Sequence, residues 1–283
     1  MFNFAEKKQK IMKQKIISIF VLLLTFNALL SQTDSLIIYY YDNYPYAFDE
    51  NNTVKGIEVD IIKEYTEWLK QKKNINVVVT YKSFKEFSSF YNGVKNGNAK
   101  VLGLGSVTIN TEREKEVMFS SPYLNNTPVL ITDGKVPTIK LKNATDVSKV
   151  LGGLNALVVN TSSHMKYMNA IKKDYVPALK ISFTETQNSV LESITNDAKI
   201  FGYADIIAYW SFLKKNPNKF LKIQKIFNQP SESLGFIMPK SNVHTMLIHE
   251  FFESGFGFTS TKVYHQILEK YLGYEIIESV EIK

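Results

Sequence analysis

The sequence contains no cysteine, a single arginine and two tryptophans among 283 residues. The absence of cysteine excludes disulfide bonds, thiolate metal sites, a cysteine nucleophile and the lipid-bearing cysteine of a lipoprotein. No apolar run reaches the roughly 20 residues that cross a bilayer as a helix. The hydrophobic content of 45% is nevertheless sufficient for a large core and for about two domains.

The first 32 residues have the pattern of a cleaved secretory signal peptide. A lysine cluster precedes an apolar segment at residues 16–24, and small or polar residues follow it. These 32 residues hold five lysines and one glutamate, so their removal lowers the formal net charge from +7 to +3. The remaining lysines form no basic stripe of the kind that binds nucleic acid. We expect an exported, periplasmic protein that is not a lipoprotein and binds no nucleic acid.

Short β-like runs alternate with amphipathic helical patterns from residue 35 onward, which is typical of α/β architecture with largely parallel sheets. In GIEVDIIKEYTEWLKQKK the apolar residues recur every four positions and share one helical face. Ser83 is a candidate N-cap for the next helix, and Gly273 is a candidate C-cap for the last one.

Two crossings, near residues 130 and 229, bracket the middle of the chain. We expect residues 33–131 and 229–283 to form a discontinuous lobe 1, and residues 132–228 to form an inserted lobe 2. Two connections between two lobes are the usual arrangement for hinge closure around a small ligand in the cleft.

Arg113, in TINTEREKEV, is the only arginine in a chain whose other basic residues are lysines. Arginine presents a rigid planar fork that binds a carboxylate through two parallel hydrogen bonds, whereas lysine supplies only a flexible point charge. This difference favours a carboxylate-binding role. The alternative is a surface salt bridge with Glu112, Glu114 or Glu116.

Four segments in chain order carry a resemblance to a known family: YPYAFDENNTVKGIEVDIIKEYTEWL, GSVTINTEREKEVMFSSPYL, GFIMPK and EKYLG. The most specific part is similar to the family pattern T-x-T-x-x-R followed by F-S-x-P-Y. The chain resembles the bacterial family 3 solute-binding proteins, the polar amino-acid receptors of ABC importers. The resemblance implies a two-lobed, type II periplasmic-binding-protein fold, with a mixed or parallel sheet and flanking helices in each lobe.

The resemblance also implies a clamp for the carboxylate of an α-amino acid. Arg113 would hold the carboxylate, and Thr108 would add a hydroxyl and a backbone N–H. Ser162 and Ser163 would lie at a helix N-terminus, whose free N–H groups favour an anion. Either serine is equally suited to a capping role that leaves anion binding intact.

The ammonium group and the side chain of the ligand would meet other residues. Ser106 would offer a backbone carbonyl to the ammonium, and Asp205 would face it from lobe 2, although aspartate is also a common N-cap. The aromatic run YYYDNYPYAF would line one wall of the cleft, with Tyr44 as the candidate for stacking or cation–π contact. If the gap in the alignment of this chain to the family is placed differently, Asn43 instead of Tyr44 occupies the family's stacking position.

Together these features predict a monomeric periplasmic protein that captures an amino acid or related zwitterion and delivers it to an ABC permease in the inner membrane. No catalytic, dinucleotide or metal-ligand pattern is present in the sequence, so we expect no enzyme activity, no cofactor and no metal. Three alternatives remain: a cyclohexadienyl-dehydratase-like enzyme, a sensor or cell-wall-fragment binder related to the binding domains of lytic transglycosylases, and a receptor for a non-amino-acid anion.

Overall fold

The computed structural model describes residues 32–279. The predicted signal peptide, residues 1–32, lies outside the described residues except for Gln32. Within residues 32–279, no helix combines the length and the apolar character needed to cross a bilayer. The strands, in chain order, are β1 (Gln32–Tyr41), β2 (Phe48–Glu50), β3 (Thr53–Lys55), β4 (Ile75–Phe84), β5 (Val101–Thr108), β6 (Met118–Phe119), β7 (Leu124–Asn126), β8 (Pro128–Asp133), β9 (Asn155–Val159), β10 (Ile181–Thr184), β11 (Ile200–Asp205), β12 (Leu221–Ile223) and β13 (Glu232–Met238).

Two separate mixed sheets divide these strands. The first has the order β4-β1-β5-β13-β6, with β7 also paired to β13; its β1, β4 and β5 are parallel, and β13 is antiparallel to its neighbours. The second has the order β10-β9-β11-β8-β12, in which β9, β10 and β11 are parallel. We call the first sheet with its helices lobe 1, and the second with its helices lobe 2. This architecture confirms the predicted α/β fold.

Helices flank both sheets. In chain order they are α1 (Ile57–Lys73), α2 (Phe87–Lys95), α3 (Thr111–Glu114), α4 (Ala144–Leu151), α5 (Ser163–Asp174), α6 (Gln187–Asn196), α7 (Ile206–Lys215), α8 (Thr245–Glu253), α9 (Lys262–Leu272) and α10 (Tyr274–Ser279). Helix α1 has acidic residues in its first turn and lysines in its last turn, which complements the helix dipole. Helix α9 ends at Leu272, and Gly273, with a φ of 79°, is its C-cap residue as predicted.

The chain passes between the sheets twice. It leaves the first sheet after β7 and enters the second with β8, and it returns between β12 and β13. Strand β8 belongs to the second sheet over its full length, so the first crossing lies at residues 126–128, a few residues before the predicted boundary at 131. The first crossing has the single residue Thr127 between its two strands, and the second covers residues 224–231. Residues of both lobes line common cavities, so a cleft lies between the lobes.

The predicted helix start at Ser83 is wrong. Ser83 and Phe84 pair with Tyr40 and Tyr41 in the ladder between β4 and β1, and α2 begins at Phe87. The ladder satisfies the backbone of these residues and therefore overrides the local capping signal. The extra strand length carries the chain to the edge of the cleft, where α2 begins.

Three clusters of buried apolar side chains hold the fold together. One surrounds α1 and the C-terminal helices of lobe 1 and also includes Ile207 of α7, and one lies within lobe 2, around α5 and β11. The third is shared, since it joins lobe 1 residues such as Phe87 and Val117 to lobe 2 residues such as Val159 and Tyr209. The shared cluster holds the facing edges of the two lobes against each other.

Candidate ligand-binding site

A small cavity marks the place where the lobes meet. It has a volume of about 30 Å³ and is lined by residues of both lobes. Five of the seven predicted site residues converge on it: Ser106 and Arg113 from lobe 1, and Ser162, Ser163 and Asp205 from lobe 2. Its other lining residues are Tyr41, Phe87, Gly105, Val159, His164 and Gln187.

Arg113 belongs to α3, which Asn110 caps by accepting a hydrogen bond from the Arg113 backbone N–H at 2.9 Å. The guanidinium lies 5.3 Å from the ring centre of Phe87 and 5.7 Å from that of Tyr91. Its Nη1 donates to the Thr108 carbonyl at 3.2 Å. Burial lowers the pKa of Arg113, and the neighbouring Tyr91 and Glu232 oppose that shift.

The surface salt bridge considered for Arg113 is not formed. None of the ion pairs within residues 32–279 includes Arg113, and Glu116 pairs instead with Lys95 at 2.7 Å. The guanidinium is held by aromatic faces and backbone carbonyls, which leaves its charge without a paired carboxylate in this part of the chain. This geometry is suited to a ligand carboxylate.

Ser106 has a backbone φ of 47°, in the left-handed region. Its hydroxyl accepts a hydrogen bond from Asn43 Nδ2 at 3.2 Å, and its backbone N–H donates to Glu58 Oε1 at 3.0 Å. Sequence reasoning had missed Glu58, and had weighed Asn43 only as a stacking position. The two contacts fix the backbone at the point where β5 reaches the cavity.

Thr108 lies beside the cavity rather than in its lining. Its hydroxyl donates to Glu232 Oε2 at 2.7 Å, and Glu232 also accepts from the hydroxyl of Tyr167 in lobe 2. These residues line a larger crevice of about 760 Å³, which shares Arg113, Ser162 and Ser163 with the cavity. Sequence reasoning missed Glu232 because it lies 124 positions from Thr108, and no local motif links them.

Asp205 is the N-cap residue of α7, but its side chain makes no capping hydrogen bond. Its carboxylate is only 4% exposed and accepts three hydrogen bonds. These come from Asn126 Nδ2 at 2.7 Å, Gln187 Nε2 at 2.7 Å and His164 Nε2 at 3.1 Å. Asn126 belongs to β7 of lobe 1, so this network joins the lobes at the cavity.

Ser162 and Ser163 begin α5 as predicted. Ser162 is the N-cap residue, and its hydroxyl donates to the Val159 carbonyl at 2.7 Å instead of capping the helix. The Ser163 hydroxyl lies 3.5 Å from Glu232 Oε2, at the outer limit of a hydrogen bond. The preceding residue, Thr161, has a φ of 59° and turns the chain into the cleft.

Tyr44 lies away from the cavity. Its ring is covered by Lys215 Nζ, 3.1 Å from the ring centre, and it contacts Phe48 edge-on at 4.9 Å. The aromatic residues that line the cavity are Tyr41 and Phe87. The hydroxyl of Tyr41 donates to the carbonyl of Glu185 across the cleft. Tyr41 lies three residues before Tyr44 in the same aromatic run, and it lines the cavity where Tyr44 does not.

Comparison with known proteins places the chain in a family. One curated relative, described as a putative ABC transporter arginine-binding protein 2 of Escherichia coli K12, is 25% identical over 60% of this chain and 62% of its own length. A probable histidine-binding protein of Neisseria gonorrhoeae is 23% identical over 71% of this chain and 69% of its own length. The first match thus spans less than two thirds of that relative.

The fold is also that of solved structures. An ancestral arginine-binding protein bound to arginine superposes with a TM-score of 0.68 at 21% identity, over 84% of this chain and 98% of that protein. The sequence model of the bacterial extracellular solute-binding proteins, family 3, matches residues 36–274. This chain belongs to the bacterial extracellular solute-binding proteins, family 3.

Proposed function

We propose that this protein captures an amino acid, or a related zwitterion, between its two lobes and delivers it to an ABC permease. One observation carries the proposal: Arg113 and Ser106 of lobe 1 converge with Ser162, Ser163 and Asp205 of lobe 2 on a single cavity. Arg113 supplies donors for a carboxylate, and the Ser106 carbonyl and Asp205 carboxylate supply acceptors for an ammonium. A zwitterion satisfies both ends of the site, and it does so best when the lobes are closed.

The size of the cavity supports a hinge mechanism. A volume of about 30 Å³ is far below the roughly 300–1,000 Å³ of a small-molecule site. An amino acid therefore enters an opened cleft, and the lobes then close on it. The contacts that must part include Tyr41 with Glu185 and Glu232 with Tyr167. The ligand then shifts the population toward the closed state, and the permease recognises that closed state.

The mouth of the cleft favours a positively charged side chain. A second cavity of about 220 Å³ shares Phe87 and Val159 with the first and is lined by the carboxylate-bearing Glu86 and Glu185. Neither carboxylate takes part in an ion pair within the described chain. The two curated relatives are named for arginine and histidine. We infer that basic amino acids bind more tightly than acidic ones.

The cellular setting follows from the same proposal. The leader pattern in residues 1–32 and the family membership support export to the periplasm, with residues 33 onward as the mature chain. We propose that the mature chain divides into the two lobes at residues 126–128 and 224–231, where it crosses from one sheet to the other. The protein would act as a monomer and bind without catalysing a reaction.

A ligand screen tests the proposal. Thermal unfolding of the purified protein is followed with each of the twenty amino acids, with muropeptides and with prephenate, since a ligand of the folded state raises the melting temperature. We expect shifts with arginine, lysine or histidine and none with glutamate. Product formation from prephenate, or a response to muropeptides alone, would contradict the receptor function and favour one of the alternatives.

A further inference from the structure

Glu58 is a buried carboxyl group in lobe 1 that does not line the cavity. It lies in the first turn of α1 and has no exposed surface. Its Oε1 accepts hydrogen bonds from the Ser106 backbone N–H at 3.0 Å and from the Tyr123 hydroxyl at 2.6 Å. Its Oε2 is buried without a hydrogen-bond partner among the described residues. A buried carboxyl with one oxygen unsatisfied is costly, so a role for it is expected.

The partner of Glu58 is the residue that shapes the site. Ser106 adopts a positive φ, which is uncommon for residues other than glycine, and the pairing of β5 with β13 shifts register between Gly103 and Val107. Glu58 satisfies the Ser106 N–H at this irregular position, while Asn43 holds the hydroxyl of Ser106. The positions of the Ser106 carbonyl and hydroxyl at the cavity therefore depend on Glu58.

We propose that Glu58 is a positioning residue for ligand binding, which acts through Ser106, and that its ionisation strengthens the binding of an ammonium-bearing ligand. This inference rests on the proposed function. An ionised carboxylate is a stronger acceptor for the Ser106 N–H than a neutral carboxyl. Its negative charge also attracts an ammonium held at the Ser106 carbonyl, which belongs to the same residue as the contact.

The electrostatic setting puts this ionisation near neutral pH. Burial raises the pKa of Glu58 to about 7, although the Tyr123 hydroxyl and the nearby backbone N–H groups of Ser106 and Gly105 lower it. The titratable groups that face it are Tyr123 and Tyr46, whose own pKa values burial raises well above 10. Tyr264 acts on Tyr123, and Asp205 of lobe 2 acts on Tyr46. Burial thus places the ionisation of Glu58 near neutral pH, whereas it keeps Tyr123 and Tyr46 neutral there.

The sign of the effect follows from linkage. A bound ammonium stabilises the ionised form of Glu58 and lowers its pKa, so the complex holds fewer protons than the free protein at pH 7. Affinity therefore rises with pH, and a decrease of one pKa unit corresponds to a gain of about fivefold or more between pH 5.5 and 8. Arginine and glutamine are suitable probes, because neither changes its charge in that interval.

The test is isothermal titration calorimetry with L-arginine and L-glutamine at pH 5.5 to 8, in buffers of different ionisation enthalpy. We expect the wild-type protein to gain about fivefold in affinity and to release protons on binding. In Glu58→Gln, which keeps the Oε1 acceptor and cannot ionise, both effects should disappear. Glu67→Gln, an exposed carboxylate on the same helix, is the matched control and should keep the wild-type profile.

The outcomes separate the two ideas. If the wild-type protein binds an amino acid and its affinity depends on pH in the same way as that of Glu58→Gln, the role of Glu58 is refuted and the proposed function stands. Absence of binding of any amino acid to the wild-type protein would remove both. If Glu58→Gln does not fold, Tyr123→Phe replaces it, because losing that hydrogen bond raises the pKa of Glu58 further. The rise in affinity should then move to higher pH, and an unmoved profile would refute the inference.

Discussion

Removing the Asp205 side chain should destabilise the protein even when no ligand is present. The carboxylate accepts N–H donors from Asn126, His164 and Gln187, and all three residues are buried. Asp205→Ala would leave these donors without their acceptor, and each unsatisfied buried donor costs about 1–3 kcal/mol. We therefore expect a loss of at least about 3 kcal/mol in the free energy of unfolding, a large share of the roughly 5–15 kcal/mol of a typical protein.

The measurement is thermal and urea unfolding followed by far-ultraviolet circular dichroism at pH 7 without ligand. At ~2–4 °C per kcal/mol for a chain of this size, the melting temperature should fall by about 6–12 °C. Asp197→Ala is the control, because Asp197 is exposed and accepts one hydrogen bond, from the Lys199 backbone N–H at 2.9 Å. Its effect should stay within about 1 kcal/mol. Equal melting temperatures for the two variants would refute the structural role of the Asp205 network.

Three further perturbations test the clamp, the interlobe contacts and the backbone. Arg113→Lys should weaken amino-acid binding by about 10–100-fold with little change in melting temperature, because lysine keeps the charge and loses the fork; equal calorimetric affinities would exclude the clamp. Glu232→Gln weakens the contacts to Thr108 and Tyr167, so the lobes should open more often. Small-angle scattering of the unliganded protein should then give a larger radius of gyration, and an unchanged radius would contradict the interlobe role of Glu232. Gly56→Ala should cost several kcal/mol, since Gly56 has a φ of 131° and an added Cβ would lie 2.1 Å from the Tyr46 carbonyl oxygen; Gly153→Ala, with open space around it, should be nearly neutral in the same urea titration.

The fold was largely predictable because its elements are long and periodic. The repeat of apolar residues in α1 and the β-rich run of β1 identify each element without knowledge of its neighbours. The limits of that reasoning appear where a ladder competes with a local signal. At Ser83 the pairing of β4 with β1 continues through a residue that by itself favours a helix start. No helix is predicted from the sequence at α4, although Asn143 as the N-cap and Asp146 in the first turn are a recognisable signal for a helix start.

The candidate site was predictable only in part, for a related reason. Residues inside one motif, such as Ser106 and Arg113, are found through their spacing. Their supporting partners come from distant positions: Glu58 lies 48 residues from Ser106, and Asn126 lies 79 residues from Asp205. Such contacts are created by the folded sheets, and no pattern in the sequence records them. Tyr41, the last residue of β1, lines the cavity, whereas Tyr44 lies in the turn that follows, and the aromatic run by itself does not reveal which of its residues reaches the cavity.

The isolation of Arg113 has a practical consequence. As the only arginine in the chain, its guanidinium is the single target for any reagent that is selective for that group, and it lies beside the rings of Phe87 and Tyr91 at the meeting point of the lobes. One covalent addition, read as one mass increment on the intact protein, would report the accessibility of this point alone. The rate of that addition, measured with and without an amino acid, would then report how far a bound ligand shields the guanidinium, without any engineered label.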